Sequence, residues 1–196
     1  MVYVILKGYG ESGNEFCLGF GGLKQLMINN VIVGATSGSG IVISASYPLI
    51  ANNIIVNNNQ GINCQYGSGT PMLSHNDVWG NTHGDYVAGC TPGAGDISSD
   101  PIFVDAAGGN YHLQAGSPCI DAGNNTGAPS TDFDRNPRPI DGDDDGITIV
   151  DMGAFEYVPQ LVTPVPTVPT LTSIGLAVLI GLLSVIAISK IGRRLN

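Results

Sequence analysis

The run Asn29-Asn30-Val31-Ile32-Val33 returns as Asn52-Asn53-Ile54-Ile55-Val56, and a third copy reads Asn76-Asp77-Val78-Trp79, at offsets of 23 and 24 residues. A unit this short cannot close a core of its own, so it must stack on its neighbours. Between the copies lie Gly-led runs: Gly40-Ile41-Val42-Ile43, Gly61-Ile62-Asn63-Cys64 and Gly84-Asp85-Tyr86-Val87. Short β-branched runs broken by Gly, Asn and Ser read as strands separated by turns.

About three short strands per repeat predict an all-β fold, a parallel β-helix (solenoid) in which each repeat is one rung. A leucine-rich repeat of similar period would need its Leu pattern and helical segments, and neither is present. The Asn pairs suit a corner where every rung turns alike. Asn tolerates the left-handed conformation and bonds its own backbone. Asn29, Asn52 and Asn76 are expected to stack there as an amide ladder.

Charge divides the chain into three regimes. Gln25 to Asn76 holds no Asp, Glu, Lys or Arg, whereas Asp77 to Glu156 holds fourteen acids against two bases, Arg135 and Arg138. Tyr157 to Ser189 is again uncharged, and Lys190, Arg193 and Arg194 follow. The net charge of −9 excludes a nucleic-acid binder that works by neutralising phosphates. The regimes predict rungs over 1–92, an acidic C-terminal cap over 93–157, a Pro/Thr linker over 158–170, one transmembrane α-helix over 171–189 and a basic cytoplasmic tail over 190–196. The nineteen residues from Leu171 to Ser189 would make a helix of about 28 Å, close to the ~30 Å bilayer core. The basic cluster after it is expected to stay on the cytoplasmic side, which leaves the body outside the cell. Met1 to Leu6 is too short an apolar run for a secretory signal. The expectation is that the chain is the C-terminal piece of something longer.

Two resemblances add to this reading. Val168-Pro169-Thr170-Leu171, an apolar span and an arginine-rich end resemble prokaryotic C-terminal sorting signals, which implies a sorting protease as a partner. The Ser-Glu-Trp-Gly-like continuation of that pattern is replaced here by Thr172-Ser173-Ile174-Gly175. Further back stand Asp100-Pro101-Ile102-Phe103-Val104-Asp105, Asn110-Tyr111-His112-Leu113, Ser117-Pro118-Cys119-Ile120-Asp121-Ala122-Gly123 and Asp151-Met152-Gly153-Ala154-Phe155-Glu156-Tyr157. They resemble the closing segment of choice-of-anchor Q surface proteins, whose right-handed parallel β-helix relatives include pectate lyases. The cap is expected to cover the strand edges and open core of the last rung. Ile102, Phe103, Val104, Tyr111, Leu113, Ile120, Phe155 and Tyr157 are its candidate packing residues.

Asp141-Gly142-Asp143-Asp144-Asp145-Gly146 has the front half of a calcium loop, with oxygen donors at positions one, three and five and Gly at six. Position twelve is Met152, so Asp141, Asp143, Asp145 and the early Asp151 are the candidate Ca²⁺ ligands. Four cysteines allow three full pairings. Cys90–Cys119 is the expected disulfide, with Cys64 as a small buried hydrophobe. Gly8-Tyr9-Gly10-Glu11-Ser12-Gly13 imitates a dinucleotide fingerprint but lacks the helix and distant acid that chemistry needs. It reads as a turn between rung strands.

From Gln25 to Asn76 the rungs offer no acid or base except His75, whereas a lyase needs a positioned base. The expected function is that of a cell-surface-anchored β-helix protein that is structural or adhesive, or that contacts polysaccharide or other glycans. The alternative is the C-terminal part of an extracellular polysaccharide lyase or hydrolase whose catalytic rungs are missing. No catalytic residue is assigned.

Overall fold

The computed structural model describes residues 5–7, 16–18, 25–65 and 69–160. The chain divides at Pro159. Among the described residues no helix is long and apolar enough to cross a membrane. The apolar span over 171–189, the motif Val168 to Leu171, the basic tail and the Gly8–Gly13 run lie outside them.

The described residues up to Val87 form stacked rungs. β1 (Ile5–Lys7) and β2 (Phe16–Leu18) precede a complete rung of β3 (Leu26–Ile28), β4 (Val31–Val33) and β5 (Ser39–Ile43). The next rung is β6 (Leu49–Ala51), β7 (Ile54–Val56) and β8 (Gln60–Cys64), and the last is β9 (Met72–Ser74), β10 (Asp77–Trp79) and β11 (Tyr86–Val87). Equivalent strands pair in parallel into three sheets: β3-β6-β9, β1-β4-β7-β10 and β2-β5-β8-β11. A hairpin follows, β12 (Phe103–Asp105) against β13 (Asn110–Leu113), antiparallel.

Inside the coil, Ile32, Ile41, Ile43, Ile50, Ile55, Ile62 and Val78 pack as one core, and all are fully buried. The first corner of each rung carries a left-handed residue: Asn29 (φ 56°), Asn52 (φ 56°), His75 (φ 53°) and then Gly95 (φ 75°). The second residue of each pair builds the ladder. Asn30 Nδ2 donates to Asn53 Oδ1 at 3.0 Å, Asn53 Nδ2 to Asn76 Oδ1 at 3.0 Å, and Asn76 Nδ2 to Asp96 Oδ1 at 3.0 Å. The same oxygens accept the backbone N–H of Asn30, Asn53 and Asn76.

The expected ladder is therefore corrected by one residue in its third step. Asp77, not Asn76, pairs with Ile54, so Asn76 stacks on Asn53 and His75 takes the place of Asn29 and Asn52. The period at this corner is 23 residues from Asn30 to Asn53 and from Asn53 to Asn76, and 20 in the last step to Asp96. A second ladder runs at the next corner, where Asn58 Nδ2 donates to Asn81 Oδ1 at 3.0 Å and Asn81 Nδ2 to Asp85 Oδ1 at 2.8 Å. Gly61 is needed beside it. A Cβ there would lie 2.3 Å from the Asp85 carbonyl oxygen and 2.9 Å from Asn81 Nδ2.

Residues beyond the last rung do more than close its end. Ala94 and Ile97 bridge to Ser74 and Asp77 and so extend the stack. The rest lies along the outer face of the β4-β7-β10 sheet. There Val31, Val33, Ile54 and Val56 form a second core with Tyr111, Leu113, Cys119, Met152, Ala154 and Phe155. The segment is a lateral cover. Of its expected packing residues, Tyr111, Leu113 and Phe155 are buried and Phe103, Ile120 and Tyr157 are partly buried against this core. Ile102 and Val104 instead face solvent, because the hairpin turns them away from the sheet.

Candidate functional site

The cover is fastened by the first Asn of each corner pair. Asn29 Nδ2 donates to the Asp151 carbonyl at 2.8 Å, and Asn52 exchanges two bonds with the Asn124 backbone at 2.9 and 2.8 Å. Gly153 N donates to the Asn52 carbonyl at 2.7 Å, and a Cβ at Gly153 would sit 2.7 Å from Ile54 Cδ1. The second Asn of each pair thus serves the ladder. The first serves the cover and also bonds its counterpart in the neighbouring rung, Asn52 Nδ2 donating to Asn29 Oδ1 at 3.2 Å as expected from the sequence.

Buried charge ties the cover together. Arg138 Nε lies 3.0 Å from Glu156 Oε1, with neither side chain exposed, and Arg138 Nη2 donates to the Gly153 carbonyl. Burial pushes the Asp151 carboxyl up to about 8, with the Glu156 charge adding to it. Burial pushes Glu156 up to about 7, opposed by Arg138. Both carboxylates accept backbone N–H groups, Asp151 from Asp121 and Glu156 from Asp151 and Ile140. On the rung side, burial raises Asp77 to about 6. It accepts the Ser99 N–H and the thiol of Cys119, whose own titration burial also shifts upward.

Where the cover leaves the last rung it opens a groove of about 450 Å³. Trp79 lines one side. It pairs with Val56 across the rungs and is only half-covered by the second core. Asn57, Asp100, Ile102, Phe103 and Gln114 line the rest. Ile102 is held at φ 51°, a genuine outlier for a β-branched residue. Asp100 Oδ1 accepts its N–H at 2.9 Å and its carbonyl accepts the Gln114 N–H at 3.0 Å. Gln114 Nε2 donates to the Phe103 carbonyl at 2.7 Å.

The acidic loop forms a separate cluster. Carboxylate oxygens of Asp121, Asp141 and Asp143 lie within 4.8 Å of one another. Asp121 Oδ2 accepts the N–H groups of Gly142 and Asp143 at 2.8 and 2.9 Å. Burial raises the Asp121 carboxyl.

Residues 7–94 match the family model described as a right-handed β-helix region. These rungs are a right-handed β-helix. No curated protein and no solved structure matches the chain.

The β-helix rearranges two sequence expectations. Cys90 is bonded to Cys64, with Cα atoms 5.3 Å apart. The expected Cys90–Cys119 bridge is therefore wrong. Cys64 ends β8 and Cys90 follows β11, its parallel neighbour in the next rung, so stacking brings them together. Cys119 is a free, buried thiol in the second core. Of the expected calcium ligands, Asp141 and Asp143 come together with Asp121, whereas Asp145 Oδ1 accepts the N–H of Ile147 and the buried Asp151 accepts those of Asp121 and Tyr157. The missed lateral cover had a sequence signal. Val31-Ile32-Val33 and Ile54-Ile55-Val56 do not alternate, as expected for strands buried on both faces. The groove had none, because its walls come from rung and cover.

Proposed function

We propose that this β-helix belongs to an extracellular, surface-anchored protein that acts as a structural or adhesive element in contact with polysaccharide. The observation that carries the reading is the Cys64–Cys90 disulfide between successive rungs, since such bonds persist in oxidising compartments. The uncharged Leu171–Ser189 run followed by Lys190, Arg193 and Arg194 supports a C-terminal membrane anchor, and Val168 to Leu171 would be the point at which a sorting protease acts. In support of a structural role, Asp77, Asp151 and Glu156 are buried, and their oxygens are occupied by backbone N–H groups, the Cys119 thiol and Arg138.

The Asp-rich loop implies calcium, and Asp121, Asp141 and Asp143 fit it. Their oxygens converge, and the buried Asp141 Oδ1 has no hydrogen-bond partner. These three would hold the ion, which needs oxygen ligands and tolerates an irregular set. Bound, it would remove their mutual repulsion and tie the loop to Asp121.

The test is to express the chain behind an export signal, whole and truncated after Val158. The whole chain should fractionate with membranes, and the truncated form should be released. Retention of the truncated form after a high-salt wash overturns the anchor. In the truncated form, millimolar Ca²⁺ should raise the Tm, and Asp141→Asn with Asp143→Asn should abolish the rise. Equal melting curves in calcium and in chelator overturn the metal site.

A further inference from the structure

We infer that the groove beside Trp79 binds a neutral pyranose unit of a polysaccharide, an inference that rests on the glycan-contacting reading above. The second corner of each rung carries a left-handed residue, and those residues are Gly34 (φ 80°), Asn57 (φ 56°) and Gly80 (φ 66°). The turn is made by glycine in the rungs on either side, so it does not require an Asn side chain. Asn57 is exposed, and its amide makes no hydrogen bond among the described residues. A side chain that the fold does not use therefore stands at the rim of a groove.

The other walls complete a pattern. Asp100 spends Oδ1 on the Ile102 N–H, and Gln114 spends its Nε2 on the Phe103 carbonyl. That leaves Asp100 Oδ2 and Gln114 Oε1 as acceptors and the Asn57 amide as both donor and acceptor. A ligand that satisfies this set must bring several donors and at least one acceptor close together, as the vicinal hydroxyls of a sugar ring do. Trp79 supplies an apolar wall for the ring's C–H face. Ile102 is strained, but its N–H and carbonyl are both held. Strain fixed from both sides is the state in which a ligand clamp persists. The volume, about 450 Å³, is within the ~300–1,000 Å³ range of ligand clefts.

Charge decides the class of sugar. Asp100 lies in the groove, and the segment around it carries fourteen acids against two bases from Asp77 to Glu156. A uronate would meet repulsion with no cation to hold it. An ammonium group would meet Asp100 favourably but would gain nothing from the Asn57 donor, and the two amides outnumber the one carboxylate. A neutral hydroxyl-rich ring uses every group.

Trp79 is the chain's only tryptophan, so its fluorescence reports this groove alone. The experiment titrates the disulfide-bonded chain truncated after Val158 with cellohexaose, mannohexaose, xylohexaose and chitohexaose. Oligogalacturonate and oligolysine are parallel arms, and calorimetry is the second readout. At least one neutral hexasaccharide should shift the emission and saturate, and oligogalacturonate should not. Asn57→Gly restores the residue of the neighbouring rungs and should leave the Tm unchanged. It should weaken binding roughly three- to tenfold, the effect of one lost hydrogen bond. Trp79→Ala should abolish binding by calorimetry if the variant folds. Calorimetric binding of a neutral sugar with no change in emission and full affinity in Asn57→Gly overturns the groove but leaves the glycan reading standing. Binding of no saccharide in either readout overturns both. A response to oligolysine or oligogalacturonate alone overturns the neutral-sugar assignment.

Discussion

An asparagine amide in these ladders is both donor and acceptor, and that duality fixes which residue each position can take. Asn53 gives Nδ2 to Asn76 and to the Met27 and Ala51 carbonyls, and receives Asn30 on Oδ1. A carboxylate there could not donate, and it would face Asn76 Oδ1 in a buried site. At the ladder's end the requirement reverses. Asp96 receives Asn76 on Oδ1 and both the Tyr86 hydroxyl and the Gly93 N–H on Oδ2, so only an acceptor fits. Asn53→Asp should therefore prevent folding or lower stability by more than about 3 kcal/mol. Asp96→Asn, which turns an amide N–H toward other donors, should cost about 1–3 kcal/mol. Urea denaturation of the two variants is the measurement, and equal midpoints would contradict this account. The Asn pairs were legible in the sequence because their spacing and β-branched neighbours are local facts. Their register was not. Asn76-Asp77 looks like the pair, but strand pairing selects His75-Asn76, and sequence does not display pairing.

At the scale of the element, the cover's dry interface raises the titration of the carboxyl groups it buries. Asp151 and Glu156 titrate near 8 and 7, well above the ordinary range for free carboxylates. Asp121, Asp132 and Arg138 are the charges facing them. Between about pH 4 and 8 the folded chain holds protons that the unfolded chain has lost, so lowering the pH favours folding. This contribution is complete below the unfolded pKa and is lost as the pH rises through 7 and 8. The Tm of residues 1–158 should thus fall from pH 5 to pH 9 by more than about 2 °C, the response of a domain this size to about 1 kcal/mol. Asp151→Asn should flatten that slope. A Tm that is constant or rises over this interval would refute the assignment. That Asp141 and Asp143 lie close together was legible from loop spacing alone. Asp121 joins them only through folding, and the buried Asp151 looks identical in sequence to an exposed acid.

At the scale of the whole molecule, a disulfide joins rungs that are already hydrogen-bonded. The Cys64–Cys90 loop spans 26 residues, which corresponds to about 3.5 kcal/mol in the chain-entropy account. Reduction, or Cys64→Ala with Cys90→Ala, should lower the denaturation midpoint accordingly. Identical midpoints with and without reductant would show that the bond is dispensable. The rungs were readable because a solenoid is nearly one-dimensional and its neighbours lie one period apart. The cover and groove were not, since they join positions as far apart as Asn29 and Asp151. The ladders also bear on how such a chain can lengthen. Because every interior Asn presents the same donor and acceptor to both sides, duplication of one 23-residue unit would restore every bond it interrupts, with Asp96 still last. The cover has no such freedom. Asn29 and Asn52 address particular carbonyls and amides on it, so a duplicated unit would bring a strip of Val and Ile with nothing to hide it. Growth by copying is open to the coil and closed to its coat, and a longer relative would need a longer coat or polar residues on the added strip.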